Sequence, residues 1–185
     1  MDRHEAVTRC YQIPGMCWPV ELCALYDLFH GTTRHVEVGS YCGRSLFVTA
    51  MTAAEGAELF VVEPLVPVDQ AIWPMPSPAW QAMVLGATIE TIRFHRPNLK
   101  IHHVELTSVD ACREFQGWAS SIYIDANHAF AECLADIQGW KTRLAENGIL
   151  AGHDYWPAEP GVMDAVHASG FGFEVVSNTR IFRLL

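Results

Sequence analysis

Apolar residues fall in two rhythms along this chain. Short continuous runs at Val36–Val38, Leu59–Val62, Ile101–Leu106, Ser121–Asp125 and Ile149–Gly152 have the length of buried strands. Between them, apolar residues recur three and four apart, the spacing of one helix face. Leu22, Leu25, Tyr26 and Phe29 mark such a face, entered at Pro19 and ended by Gly31. Helices are also expected over Ser45–Ala54, Pro78–Phe94 and Ala129–Asn147. In the last, Phe130, Cys133, Leu134, Ile137, Trp140 and Leu144 share a face, and Asn147-Gly148 closes it. Shorter helices fit Val109–Phe115 and Val162–Ala168. Phe173–Val176 and Ile181–Leu184, joined through Ser177-Asn178, read as a hairpin. Residues 1–17 read as a polar arm ending in the turn Ile13-Pro14-Gly15.

Strand and helix alternate through five strands, so the predicted fold is α/β: a doubly wound, mostly parallel, seven-stranded sheet with a C-terminal antiparallel hairpin. The 185 residues are expected to form one domain, with residues 1–30 an N-terminal arm and helix. Residues 64–78 stand apart. Prolines at 64, 67, 74, 76 and 78 exclude a helix or central strand there. The stretch reads either as a lid over a site or as a surface detour packed by Ile72 and Trp73.

Ligands of such a sheet bind outside the carboxyl ends of its strands. The first strand leads into Glu37-x-Gly39-x-x-x-Gly43, a tight glycine turn before a helix start. A carboxylate ahead of the turn would repel a pyrophosphate and suits an ammonium or sulfonium cation. Glu63 ends the second strand, where an acid can accept hydrogen bonds from ribose hydroxyls. Thr107-Ser108 follows the third strand, where Ser108 could meet an adenine ring. Asp125 ends the fourth, and His153-Asp154-Tyr155 ends the fifth.

Three segments resemble class I S-adenosylmethionine-dependent methyltransferases, in the small-molecule branch of sugar O-methyltransferases and cephalosporin-hydroxylase-like proteins. They are Glu37-Val38-Gly39-Ser40-Tyr41-Cys42-Gly43-Arg44-Ser45, Tyr123-Ile124-Asp125-Ala126-Asn127-His128 and Gly148-Ile149-Leu150-Ala151-Gly152-His153-Asp154-Tyr155. The resemblance implies a Rossmann-like fold and S-adenosylmethionine as cofactor. It implies cofactor contacts at Glu37, Gly39, Ser40, Gly43, Glu63, Ser108 and Asp125, with Ser45 at the helix start nearby. The chain departs from the pattern at Leu106-Thr107, where a small or acidic residue is usual. The implied acceptor is a small molecule methylated on a hydroxyl.

Catalysis is expected from His128, His153 and Asp154, which neighbouring strands deliver with Asp125 to one edge. Methyl transfer needs the acceptor aligned and its proton removed, and an imidazole suits the base. The same residues allow other readings. Asp125 and Asp154 match positions where some relatives hold a divalent cation, and a set containing His153 suits Mn, Fe or Zn better than Mg. A metal-dependent hydrolase or oxygenase and a non-catalytic cofactor-binding relative are the alternatives.

Composition narrows the partners. Half the residues are hydrophobic, 18% are charged and the net charge is −9, without a basic run, so no nucleic-acid partner is expected. No stretch approaches the roughly 20 apolar residues of a membrane span, and the charged start leads into no signal core. Six cysteines without a C-x-x-C pair read as reduced thiols of a cytoplasmic protein, and their spacings do not suggest zinc. Trp73 or Trp80, if exposed, could serve a homodimer.

Overall fold

The computed structural model describes residues 1–65 and 77–185. Its strands are β1 (Arg34–Val38), β2 (Glu58–Val62), β3 (Lys100–Val104), β4 (Ala119–Ile124), β5 (Leu144–Gly152), β6 (Phe173–Val175) and β7 (Phe182–Leu184). They form one sheet in the order β3-β2-β1-β4-β5-β7-β6. β1 to β5 are parallel, and β7 runs antiparallel to β5 and β6. This is the expected Rossmann-like sheet with its C-terminal hairpin. The order reverses between β1 and β4, which opens a crevice at their carboxyl ends.

The helices are α1 (Arg3–Cys10), α2 (Pro19–Leu28), α3 (Arg44–Thr52), α4 (Pro78–His95), α5 (Ser108–Glu114), α6 (Phe130–Lys141) and α7 (Pro160–Ala168). Strand alternation sorts side chains into two cores. Val36, Val38, Ile122, Ile124 and Leu150 pack with α5, α6 and α7, while Leu59, Val61, Tyr123 and Ala151 pack with α1 to α4. Each such aliphatic side chain, fully buried, stabilises the fold by about 1.5–3 kcal/mol. Glu37 lies between the two valines, so it faces the other core, in register with Tyr123.

Two expectations need correction. The polar arm contains a helix, α1, whose N-cap Asp2 accepts the Glu5 amide at 2.9 Å. Ala6, Val7 and Cys10 on one side of α1 are buried, and α1 packs on α2 and α3. The long helix after β4 ends at Lys141, and β5 begins at Leu144, inside the stretch read as helical. Leu144 fits either pattern. Asn147, at φ 62°, belongs to an irregular β4–β5 pairing and does not end a helix.

The lid expectation falls mostly on residues 66–76, outside the described residues, as does Trp73. Ser77 caps α4 as expected, accepting the Trp80 amide; Trp80 is half-buried. All six cysteines are unpaired thiols. No helix among the described residues is long and apolar enough to cross a membrane.

Candidate active site

The turn after β1 is held from three sides. Gly39 has φ 81°, its amide donates to the Val62 carbonyl at 2.9 Å, and a Cβ there would stand 2.1 Å from the Asp125 carbonyl oxygen. Only glycine lets the ends of β1 and β4 meet this closely. Gly43, at φ 86°, is the N-cap of α3. The Thr88 hydroxyl of α4 donates to the Cys42 carbonyl at 2.8 Å.

Glu37 shapes this turn from beneath. Its side chain is fully buried, and one carboxyl oxygen accepts Ser40 Oγ at 2.6 Å and Ser45 Oγ at 3.1 Å. The other oxygen is buried without a partner among the described residues. Burial pushes this carboxyl up to about 8, against the pull of both serines. Thus the structure turns Glu37, Ser40 and Ser45 toward one another, and a group that is largely neutral at pH 7 is a poor counter-ion for a cation.

Glu63, at the end of β2, stands differently. It accepts the Tyr41 amide at 2.8 Å and the Leu65 amide at 3.3 Å, which fastens the β1 turn to the neighbouring strand end. It remains part-exposed. A carboxylate has about four lone-pair positions, so acceptor capacity remains for two vicinal hydroxyls.

Ser108 points elsewhere. Its hydroxyl donates to Asp136 and accepts Trp140 Nε1 at 2.9 Å, pinning α5 to α6. Its one donor is thereby spent on Asp136, which leaves an adenine contact from this hydroxyl only an acceptor lone pair.

The ends of β4 and β5 gather the remaining residues. Asp125 is part-exposed beside the Gly39 turn. His153 is buried, with Nδ1 3.3 Å from Asp154 and 3.6 Å from Asp125, and Nε2 3.1 Å from Glu21. His128 is more open: Nε2 lies 3.2 Å from Asp154 and Nδ1 lies 3.2 Å from Glu159. A cleft lined by Asp125, Asn127, His128 and His153 runs between them.

Residues 36–155 match a family model described as a methyltransferase domain. The chain belongs to this family. CalS11, a TDP-rhamnose 3'-O-methyltransferase of calicheamicin biosynthesis, has a TM-score of 0.61 at 16% identity, over 89% of this chain and 77% of its own. The O-methyltransferase from Bacillus cereus in complex with SAH has 0.67 at 14%, over 100% and 92%. The SAH-bound Podospora anserina methyltransferase PaMTH1 has 0.67 at 13%, over 98% and 86%. These three likenesses show the shared fold. No curated protein matches the chain significantly in sequence.

In this methyltransferase the two histidines are not equivalent. Burial works against a charged His153, but Asp125 and Asp154 outweigh it and hold the ring protonated, well above the ordinary histidine range. An imidazole kept charged cannot take a proton from an acceptor, so the placement of His153 suits a fixed cation. His128 has the exposure a base needs. Burial likewise opposes ionisation of Asp154, yet His153, His128 and Arg180 keep it below the usual carboxylate range.

Glu21 and Arg180 are the residues that sequence reasoning missed. Glu21 was legible only as a helix-start acid, and it does accept the Trp18 amide at 2.7 Å. It is also fully buried, and Arg180 donates to both of its oxygens, at 2.8 and 2.9 Å, and to Asp154 at 2.9 Å. No local signal marks Arg180, because its partner lies 159 positions away.

A divalent metal does not fit this set. Asp125, His128 and Asp154 offer ligand atoms within 4.8 Å of one another. Yet Asp154 already receives Arg180 and His153 on one oxygen and His128 on the other, and Asp125 faces His153. The carboxylates are met by the protein's own cations, so the metal-dependent alternative loses its ligands.

Proposed function

We propose that this methyltransferase moves the methyl group of S-adenosylmethionine to a hydroxyl of a small molecule, with His128 as the base. The observation that carries the reading is the Glu63–Tyr41 hydrogen bond. It sets a carboxylate with spare acceptor capacity beside a glycine turn, at the point where the sheet order reverses. Those residues fit the cofactor: Glu63 for the ribose hydroxyls, the Gly39–Gly43 backbone for close approach, and Asp125 across the turn for the cationic end. Two SAH complexes among the structural neighbours support the same choice.

The cofactor supplies an electrophilic methyl on a sulfonium. This chain's residues supply the rest. His128 takes the acceptor's proton as its oxygen becomes nucleophilic. Asp154 at Nε2 orients the imidazole and stabilises the imidazolium that forms, while the more exposed Glu159 must leave Nδ1 for the acceptor's hydroxyl to reach it. The fixed charges of His153 and Arg180 keep Asp154 ionised for that task. Removing a positioned base typically costs about 10²–10⁴-fold in rate.

Calorimetry with S-adenosylhomocysteine tests the cofactor. Saturable binding that weakens in Glu63→Ala is expected; no heat at about millimolar ligand would overturn the reading.

A further inference from the structure

The acceptor end of the crevice has a charge character that narrows its substrate. Asp154 and Glu159 each lie 3.2 Å from a ring nitrogen of His128, and ligand atoms of Asp125, His128 and Asp154 lie within 4.8 Å of one another. The question is what cations face them. The chain has 12 Lys and Arg residues. Arg34 and Lys100 begin strands, and Arg93, Arg96, Arg113, Lys141 and Arg143 lie at or just past the far ends of helices. All seven therefore sit at the opposite edge of the sheet. Arg3, Arg9 and Arg183 pair with Asp27, Glu5 and Glu174. Residues 66–76 contain no Lys or Arg.

Only Arg44 and Arg180 remain near the crevice, beside the charged His153, and all three are committed, His153 to Glu21, Asp125 and Asp154. Arg44 donates to the carbonyls of Ile13 and Cys17. Arg180 is neutralised by Glu21 and Asp154, and its guanidinium lies 4.4 Å from the Trp18 ring and 5.5 Å from the Trp156 ring. Both indoles are also partly exposed, at 49% and 37%. They offer apolar surface beside Arg180 and add no positive charge. A diphosphate needs paired cations or a bidentate guanidinium, and among the described residues none is uncommitted there.

From this we infer that the acceptor is an uncharged or amine-bearing hydroxylated molecule without phosphate. This deepens the methyl-transfer reading and rests on it. It also separates the chain from CalS11, whose TDP-rhamnose acceptor carries a diphosphate. Four carboxylates, Glu21, Asp125, Asp154 and Glu159, stand against the two cations His153 and Arg180, and this anionic excess disfavours a phosphorylated acceptor, while an ammonium gains by the same field.

The test uses the full chain saturated with S-adenosylhomocysteine, so a failure of cofactor binding is seen first and indicts only the methyl-transfer reading. The complex is then titrated with thymidine diphosphate and with coenzyme A. No saturable binding of either is expected; binding of either tighter than about 1 mM overturns the inference. In parallel, methyl transfer from S-adenosylmethionine is compared for dopamine, catechol and caffeate. Rates falling in that order, with kcat/KM for caffeate at least about tenfold below dopamine, support it. The reverse order overturns it. If none of the three is methylated, the diphosphate and coenzyme A titrations decide.

Discussion

His128 and His153 hold opposite oxygens of one carboxylate: His128 Nε2 is 3.2 Å from Oδ2 of Asp154, and His153 Nδ1 is 3.3 Å from Oδ1. Asp154 sits at φ 56°, a conformation that non-glycine residues rarely adopt. The shared carboxylate separates a buried, permanently charged imidazole from an exposed one. Substitutions at the two rings should therefore fail in different ways.

His128→Gln should lower kcat by about 10²–10⁴-fold and leave affinity for S-adenosylhomocysteine within about threefold, as expected of a proton acceptor. Steady-state kinetics on any accepted substrate, with calorimetry for the affinity, checks both.

His153→Gln should instead unfold the protein more easily. It removes the cation between Glu21, Asp125 and Asp154 and leaves Arg180 alone to compensate the buried Glu21 and Asp154, a loss of about 3–5 kcal/mol for a broken buried pair. Arg180→Met should fall in the same range. Urea denaturation gives the difference directly, and a change below about 1 kcal/mol would contradict a clamp role.

Glu37 makes a pH-dependent prediction of definite sign. Its folded carboxyl is raised to about 8, above the unfolded value. Between the two values the folded state binds more protons than the unfolded one, so stability falls as pH rises through that window. Glu37→Gln keeps an acceptor for Ser40 and Ser45 but cannot ionise. Relative to the native chain it should gain up to about 1.4 kcal/mol per pH unit from pH 5 to 8. Denaturation curves at several pH values would show the difference widening, and a constant difference would mean that Glu37 is ionised in the fold.

Glu63→Ala should weaken binding of S-adenosylhomocysteine by about ten- to a hundredfold, the worth of one or two hydrogen bonds to a charged acceptor. Circular dichroism should be unchanged, because the change frees only the Tyr41 and Leu65 amides of the turn and leaves the sheet's own bonds in place. Calorimetry on the pair of proteins measures it.

Gly39→Ala should be among the most damaging single changes. The added methyl would meet the Asp125 carbonyl at 2.1 Å, at a backbone φ of 81°. Overpacking and left-handed strain together cost about 3 kcal/mol. A chain that still folds should have lost cofactor affinity through the displaced turn.

Much of this was readable from residue order. β1 to β5 stand out because a doubly covered parallel sheet needs continuous apolar runs, and Gly39 and Gly43 because their backbone angles demand glycine. α1 was hidden by its polar face: only Ala6, Val7 and Cys10 mark the buried side. The orientation of Glu37 follows from alternation, since a residue between Val36 and Val38 must face the opposite core. That it would be locked there by Ser40 and Ser45 depends on the turn's three-dimensional path. Ser108 shows the converse, a strand-end hydroxyl whose partners Asp136 and Trp140 come from a later helix. Glu21 and Arg180 were the least legible, because ion pairing across the sheet's end leaves no periodicity.

The Glu21–Arg180 pair also bears on how the chain is made. Arg180 comes after every parallel strand, whereas Glu21 comes before the first. During synthesis β1 to β5 can therefore assemble while Glu21 still lacks its guanidinium, and that ion pair closes only when the C-terminal hairpin emerges. A nascent chain stalled before residue 180 would hold its five parallel strands with Glu21 facing His153 alone.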